Sequence, residues 1–304
     1  MYRGSPLSLI ACNMKRVIRI LLWLIFLWTP PLFAQVQFYL VPKETLLQRL
    51  AVSPLKNTER QAALVKMFAD VGCKAELQPV KDSGMSNVIC ILPGASTDTI
   101  IVGGHVDKVE VGNGIVDDWS GASMLPTLYE SLKTIRIRHT VIFVGFADEE
   151  KGLLGSKYYV KQMTPEARTR AKEMINLECL GMNPTEVWAS HSDRRLLNAL
   201  FAVAQAMKVK VSEVNVERVG TADSESFAAA KIPRTTIHSV DQKTLSVLHS
   251  PQDNLLAINP DFYYESYRLI AEYLATIDAQ NGVTQPGDAV AATPGNAITL
   301  KGTN

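Results

Sequence analysis

The sequence predicts an α/β protein: a three-layer α/β/α sandwich with a mixed, largely parallel central sheet. Two observations support this prediction. Short apolar runs alternate with segments of helical periodicity, the pattern of strands joined by crossover helices. In addition, the run 140–147 is nearly continuous in apolar residues, as expected of a strand covered on both faces.

The individual elements are predicted from periodicity and end signals. Residues 57–71 read as a helix, with Thr58 and Gln61 as a capping box and Gly72 as its end. The pair 164–165, Thr-Pro, opens a second helix, because threonine caps and proline suits the first helical position. Further strands are predicted at 88–92, 99–103, 174–177, 187–189 and 235–237, and further helices at 193–207 and 260–277.

Length and charge are those of one ordinary α/β domain. The chain has 304 residues and a formal net charge of +1. This balance provides no electrostatic attraction to nucleic acid or to anionic lipid, so neither is expected as a partner. We expect one domain over 35–280 and a disordered tail over 281–304, where Gly, Pro, Thr and Ala occur without periodicity.

The amino-terminal segment 1–34 has the layout of an upstream extension followed by a secretory signal peptide. Basic residues at 14–19 precede an apolar run at 20–28, which is shorter than the roughly 20 residues that span a bilayer. Ala34 offers a cleavage site. We expect the natural start at Met14 and an exported protein, periplasmic or secreted, without stable membrane insertion after cleavage; an uncleaved anchor is the alternative.

Cysteine usage is compatible with export. Cys73 and Cys90 flank a turn signal at 81–84 between two strand-like runs. Whether they form a disulfide is left open, because geometry decides it. Cys179 is expected to be a small buried hydrophobe. The sequence has no CxxC pair, which argues against a thiolate zinc site.

Metal-binding side chains follow the predicted strands at their carboxyl ends, where open α/β sheets build their sites. Imidazole and carboxylate are the ligands that zinc accepts when thiolate is absent. The set is large enough for two zinc ions, with an adjacent glutamate as a base. The candidate ligands are His105, Asp117, Glu150, Glu178 and His249, and the candidate base is Glu149.

Each of these residues taken alone has a simpler explanation. His105 and Asp117 are compatible with capping roles, and the Glu149–Glu150 pair with the solvated first turn of a helix. His249 precedes an ordinary turn. Glu178 is harder to explain this way, since it interrupts an apolar strand and a lone buried carboxylate is costly.

Five segments between residues 103 and 253 resemble the co-catalytic di-zinc aminopeptidases of the bacterial leucyl aminopeptidase type, whose relatives include glutamate carboxypeptidases and glutaminyl cyclases. The segments are GGHVD, IVDDWSGAS, FADEEKGLLGS, INLECLG and HSPQD. The resemblance implies a zinc exopeptidase fold, two Zn²⁺ ions and a metallo-aminopeptidase. Such an enzyme hydrolyses the N-terminal bond of peptides or small proteins through a metal-bridging hydroxide.

The resemblance also assigns roles to the candidate ligands. Asp117 is implied to bridge the two ions. His105 and Glu178 would complete one site, and Glu150 and His249 the other.

Two further residues and one peptide bond receive roles in the same way. Glu149 is implied to be the general base, and Asp107 to hold His105 in the correct tautomer. The resemblance implies a cis peptide bond between Asp117 and Asp118.

Two segments depart from the family pattern. Pro126 is tolerated if Ser123 caps the following helix, whereas a helix that begins at Trp119 must kink. The segment 222–227 lies where relatives shape the substrate pocket, yet its acidic residues suit helix capping better. Cys179 and Leu248 flank ligands and are candidates for lining the pocket.

Three alternatives to an aminopeptidase stay open. A glutaminyl-peptide cyclotransferase would use a single zinc, whereas the complete ligand set favours two. A carboxypeptidase for acidic C-terminal residues needs a basic pocket, and no arginine cluster accompanies the motifs. A non-catalytic binding domain on the same fold should have lost ligands or the base.

Overall fold

The computed structural model describes residues 38–216 and 220–280. The predicted upstream extension, signal peptide and tail lie outside the described residues, so those predictions remain untested. Within the described ranges, no helix combines the length and hydropathy that a membrane span requires.

The described residues form eight α-helices and eight strands. In chain order they are α1 Lys43–Ala51, α2 Asn57–Asp70, β1 Glu76–Pro79, β2 Ser86–Leu92, β3 Ser96–His105, α3 Ser120–Leu132, β4 His139–Phe146, α4 Leu154–Gln162, α5 Pro165–Arg170, β5 Ala171–Leu177, β6 Glu186–Val187, α6 Arg194–Met207, β7 Ser212–Glu213, α7 Ser224–Ala229, β8 Arg234–His238 and α8 Pro260–Gln280.

All eight strands belong to one sheet, in the order β1-β2-β4-β3-β5-β8-β6-β7. The four central strands β4, β3, β5 and β8 are parallel to one another. Strands β1 and β2 extend the sheet in antiparallel fashion at one side, and β6 is antiparallel to β8 at the other. The prediction of a mixed, largely parallel sheet is therefore confirmed.

Helices cover both faces of the sheet. Phe146 of β4 contacts Tyr159 of α4 and Phe227 of α7, with ring centroids 6.1 Å and 6.0 Å away. Phe143 points to the opposite face, because its position in the strand has the opposite parity. There it meets aromatic rings of α2 and α3. Both faces of β4 are buried, as its nearly continuous apolar sequence predicts, and the three-layer architecture is confirmed.

The predicted capping box of α2 was wrong. Helix α2 has no side-chain cap; Gln61 instead accepts a hydrogen bond from the Ser86 amide at 2.7 Å, so a tertiary contact overrides the local signal. Of the two alternatives for α3, the structure favours the earlier start: the helix begins at Ser120, so Ser123 is not its cap and Pro126 lies inside it. The Thr164 cap is confirmed, since its hydroxyl accepts from the Ala167 amide at 3.1 Å.

The question of the cysteines is resolved by the fold. Cys73 follows α2 and Cys90 lies on β2, and the two form a disulfide with their Cα atoms 6.3 Å apart. Cys179 is free and buried, as expected.

Candidate metal centre

The predicted ligands converge at the carboxyl ends of the parallel strands. His105 is the last residue of β3, and Glu178 directly follows β5. Glu149 and Glu150 form a single helical turn just after β4. Because these strands are neighbours and parallel, their carboxyl ends meet at one edge of the sheet. The loops that contain Asp117 and His249 complete the cluster.

One group of ligands is built around the buried imidazole of His105. Its Nε2 lies 3.0 Å from Asp117 Oδ1 and 3.5 Å from Glu178 Oε1. Asn176 holds the second oxygen of Glu178 by donating to it at 2.9 Å. These three ligands are the set that the resemblance implies for one ion.

A second group shares the same aspartate. His249 Nε2 lies 3.1 Å from Asp117 Oδ2 and 3.1 Å from Glu150 Oε2. The two oxygens of Asp117 thus face two different imidazoles. A carboxylate in this position can bridge two ions, as the resemblance implies.

Asp107 connects the first group to the turn that contains Glu149. Its two carboxylate oxygens accept hydrogen bonds from the amides of Glu149 and Glu150, at 2.9 Å and 3.2 Å. The same carboxylate lies 3.6 Å from His105 Nδ1, and the Asp107 carbonyl oxygen lies 3.1 Å from that nitrogen. Asp107 is therefore placed to orient the imidazole and the turn together.

The crowded carboxylates shift the proton equilibria of the site. Hydrogen bonding to Asp117 raises the pKa of His249 to about 9. Burial raises the pKa of Glu150, and the nearby charge of Asp117 raises it further. Burial also raises the pKa of Glu149. The site draws protons toward an excess of negative charge, which divalent cations would neutralise.

The donor set fits zinc. It combines two imidazoles with three carboxylates and contains no thiolate. In each of the two groups the candidate donor atoms all lie within 4.8 Å of one another. Small side-chain movements would bring each set to the coordination distance of about 2 Å from a common ion.

The bridging candidate Asp117 is held through its backbone. The peptide bond between Asp117 and Asp118 is cis, as the resemblance implied. Asp253 accepts hydrogen bonds from the amides of Val116 and Asp117, at 2.7 Å and 3.3 Å. The carboxylate of Asp253 thus connects the HSPQD segment to the ligand loop.

The neighbouring Asp118 is not a ligand candidate but a buried anchor. Its carboxylate accepts from the amides of His105, Gly121 and Cys179 at 2.9–3.1 Å. A side-chain carbon at Gly121 would lie 2.5 Å from Asp118 Oδ2 and 2.7 Å from the Leu177 carbonyl oxygen, so only glycine fits there. Asp118 therefore joins the ends of β3 and β5 to the first turn of α3.

A pocket with a cavity volume of about 230 Å³ opens beside the ligands. Its polar lining residues are Glu149, four of the ligands, Thr221 and His238. Cys179 and Leu248 line it, as predicted, together with the apolar residues Trp188, Val216, Val240 and Leu245. Among the described residues that line it, none is lysine or arginine.

This arrangement can be compared with known families. The model of Peptidase family M28 matches residues 87–274, a range that contains all the candidate ligands and every strand of the sheet from β2 onward, apart from the first residue of β2. The chain belongs to peptidase family M28.

Relatives of this M28 chain include aminopeptidases. It is 26% identical over 172 residues to Aminopeptidase YwaD of Bacillus subtilis, a match that covers 54% of this chain and 38% of that protein. The chain thus spans about two fifths of the length of the first curated relatives it matches.

Solved structures share the M28 fold at low identity. The LapA aminopeptidase of Legionella pneumophila superposes with a TM-score of 0.68 at 16% identity, covering 78% of this chain and 72% of that one. A glutaminyl cyclase from an Acidobacteriales bacterium gives 0.66 at 16% identity, covering 83% and 99%. Similarity at this level of identity establishes the fold alone.

Arg60 on α2 supports the site, although no sequence motif marks it. Its guanidinium is buried and donates to the carbonyl oxygens of Val106, Asn113 and Gly114 at 2.6, 3.1 and 2.8 Å. It also lies 4.9 Å from the ring centroid of Trp119. Burial lowers the pKa of Arg60 to about 10, and nearby aspartates oppose the shift, so the group stays charged near neutral pH.

Arg60 therefore holds the loop between His105 and Asp117 from outside the site. The available signal was a lone charge on the inner face of an amphipathic helix. Asp253 was also missed, although it belongs to the quoted HSPQD segment.

We predict that Arg60→Lys weakens zinc binding by about 10–100-fold, the usual effect of losing a group that orients ligands. Lysine keeps the charge but cannot donate to three carbonyl groups in fixed directions. Competition with a chromophoric chelator measures the affinity. Arg49→Lys is the matched control, because Arg49 contacts Thr127 and Glu130 away from the ligands. Equal zinc affinities for the two variants would contradict the role of Arg60.

We also predict that zinc affinity rises with pH between roughly pH 6 and 8.5, because binding must displace protons from the ligands. The raised pKa of His249, about 9, means that its imidazole is mostly protonated over this window. The affinity should increase by about tenfold per pH unit for each proton released. Titration calorimetry in buffers of different ionisation enthalpy measures this release. His249→Gln should make the zinc affinity less dependent on pH. A wild-type zinc affinity that does not change with pH would contradict the prediction.

Proposed function

We propose that this chain is a zinc-dependent aminopeptidase that removes the N-terminal residue of peptides or small proteins. One observation carries the proposal: two ligand groups share the carboxylate of Asp117, and Glu149 lines the pocket beside them. The aminopeptidases among its relatives support the same activity.

The proposed ligand set divides between two zinc ions, with Asp117 common to both. His105 and Glu178 would hold one ion, and Glu150 and His249 the other. When bound, such a pair supplies an activated water and polarises the scissile carbonyl. The protein contributes ligands that are already positioned by Asp107, Asp118, Asp253 and Asn176.

Glu149 is the proposed general base. Its backbone is fixed by Asp107, and its side chain lines the pocket. Burial raises its pKa, which suits a group that must accept a proton and then release it. It would take the proton of the attacking water and deliver it to the leaving amine. Nearby divalent cations would favour its ionised form and bring the pKa down toward the working range.

The pocket supports an N-terminal rather than an internal cleavage site. Its volume of about 230 Å³ is below the roughly 300–1,000 Å³ of a site for a drug-sized ligand, so it suits a single residue. Its carboxylate-rich side complements the ammonium group of a free N-terminus. None of its described lining residues is lysine or arginine, so those residues offer no permanently charged cation to an acidic side chain or a C-terminal carboxylate.

The competing function is glutaminyl-peptide cyclisation with one zinc. A single zinc would need only one of the two ligand groups that share Asp117. The presence of the group His105, Asp117 and Glu178 beside the group that contains His249 therefore favours a second ion. A non-catalytic binding role is disfavoured by the retention of Glu149 beside complete ligand groups.

We also propose that the protein is exported to the periplasm or the exterior. The disulfide between Cys73 and Cys90 supports an oxidising compartment, and the predicted signal peptide at 1–34 would provide the route.

Hydrolysis of a panel of aminoacyl chromogenic amides, with and without chelator, tests the proposal. We expect apolar N-terminal residues to be cleaved well, glutamyl amides poorly, and N-acetylated amides not at all. Chelator should abolish the activity, and metal analysis should find two zinc ions per chain. Cyclisation of a glutaminyl peptide by a one-zinc protein would establish the competing function instead.

Two variants test the residue roles. Glu149→Gln should keep both zinc ions and lose about 10²–10⁴-fold in turnover, because only proton transfer is removed. Glu166→Gln, an exposed glutamate, is its control and should retain full activity. Asp117→Ala should release metal. Wild-type rates in Glu149→Gln would reject the base, and unchanged zinc content in Asp117→Ala would reject the bridge.

A further inference from the structure

Trp188 is the largest apolar side chain in the pocket lining. It follows β6, is buried, and packs in an apolar cluster with Val216 and Ala222. The position of this indole therefore decides how much room remains for a substrate side chain.

The backbone of Trp188 is anchored to the sheet. Its amide donates to the Thr236 carbonyl oxygen of β8 at 3.0 Å. Its carbonyl oxygen accepts from the Ser192 hydroxyl at 2.8 Å and from the His191 amide at 3.1 Å. These bonds fix the Cα position but leave the two side-chain torsions of the indole to be set by packing.

An imidazole that does not line the pocket packs against the indole. The rings of Trp188 and His191 are stacked, with centroids 4.0 Å apart and an interplanar angle of 17°. Stacked aromatic pairs contribute beyond their buried area and restrict ring orientation. His191 is thus placed to hold the indole from behind the pocket wall.

His191 contacts one charged residue, which in turn binds a second. Its Nδ1 lies 2.8 Å from Glu225 Oε1. The same oxygen accepts from Arg234 Nη2 at 2.8 Å. Arg234 begins β8 and Glu225 lies in the first turn of α7, so the contacts join the pocket wall to two rigid elements.

These contacts account for Glu225 in the acidic segment 222–227. The capping prediction was wrong, because neither Asp223 nor Glu225 caps α7 with its side chain. Glu225 instead contacts Arg234 and His191. It thereby connects the segment to the imidazole that stacks on Trp188.

We propose that His191, stacked on Trp188 and in contact with Glu225, is a positioning residue that fixes the Trp188 indole and so makes the pocket select large apolar N-terminal side chains over small ones. The inference rests on the proposed aminopeptidase function and deepens it. His191 touches neither the candidate ligands nor Glu149 in the described contacts, so its effect should fall on side-chain binding and not on the chemical step.

The test is the ratio of kcat/KM for leucyl and alanyl amides. His191→Ala should lower kcat/KM for the leucyl amide about tenfold, mainly through KM, and change the alanyl value less than about twofold. His191→Phe keeps a stacking ring and should restore the ratio. Glu225→Gln should shift it in the same direction as His191→Ala. In a Trp188→Ala background, His191→Ala should leave the ratio unchanged, because the residue acts through the indole.

Glu213→Gln is the matched control. It removes the ion pair between Glu213 of strand β7 and Arg194 of helix α6, so it should not alter the ratio of the two kcat/KM values. Equal losses for both amides in His191→Ala, or an unchanged ratio, would overturn the inference while leaving the proposed function standing. A wild-type protein that cleaves no aminoacyl amide would overturn the proposed function first, and this inference with it.

Discussion

The two-sided contact of Asp117 with His105 and His249 is the interaction on which the rest of the site depends. A carboxylate that meets one imidazole through each oxygen must be held rigidly at its backbone. Asp253 provides this on one side through the amides of Val116 and Asp117. The cost of burying so many carboxylates is offset by N–H donors and, in the proposed holoenzyme, by cations.

A second layer of charged groups gives the centre its rigidity. Asp118 joins backbone amides at the ends of β3 and β5 and in the first turn of α3, and Arg60 joins three carbonyl groups of the ligand loop. The two residues act on complementary backbone groups of the same region. Since neither lies among the candidate donor sets, their effect on zinc would come through geometry.

In the pocket, too, some residues line the cavity and others contact those residues from outside it. Its lining combines acidic groups near the ligands with an apolar wall that includes Trp188. In the proposed positioning role, His191 sets the orientation of the Trp188 indole from outside the lining, and Glu225 contacts both His191 and Arg234. Membership of the M28 family establishes neither the width of the pocket nor the preferred residue, because neither follows from the fold.

The sequence by itself determined the elements and the candidate ligands of this protein. Period and end signals are local, so β4 and α2 were predicted within one or two residues. Polar residues that directly follow buried parallel strands must meet at one edge of the sheet. The sequence therefore predicted that His105 and Glu178 lie close together. Only the tertiary structure decided the supporting contacts. Arg60 reaches Gly114 across 54 positions, and Asp253 reaches Val116 across 137. No local pattern encodes such pairs, because they depend on how loops pack once the sheet has formed.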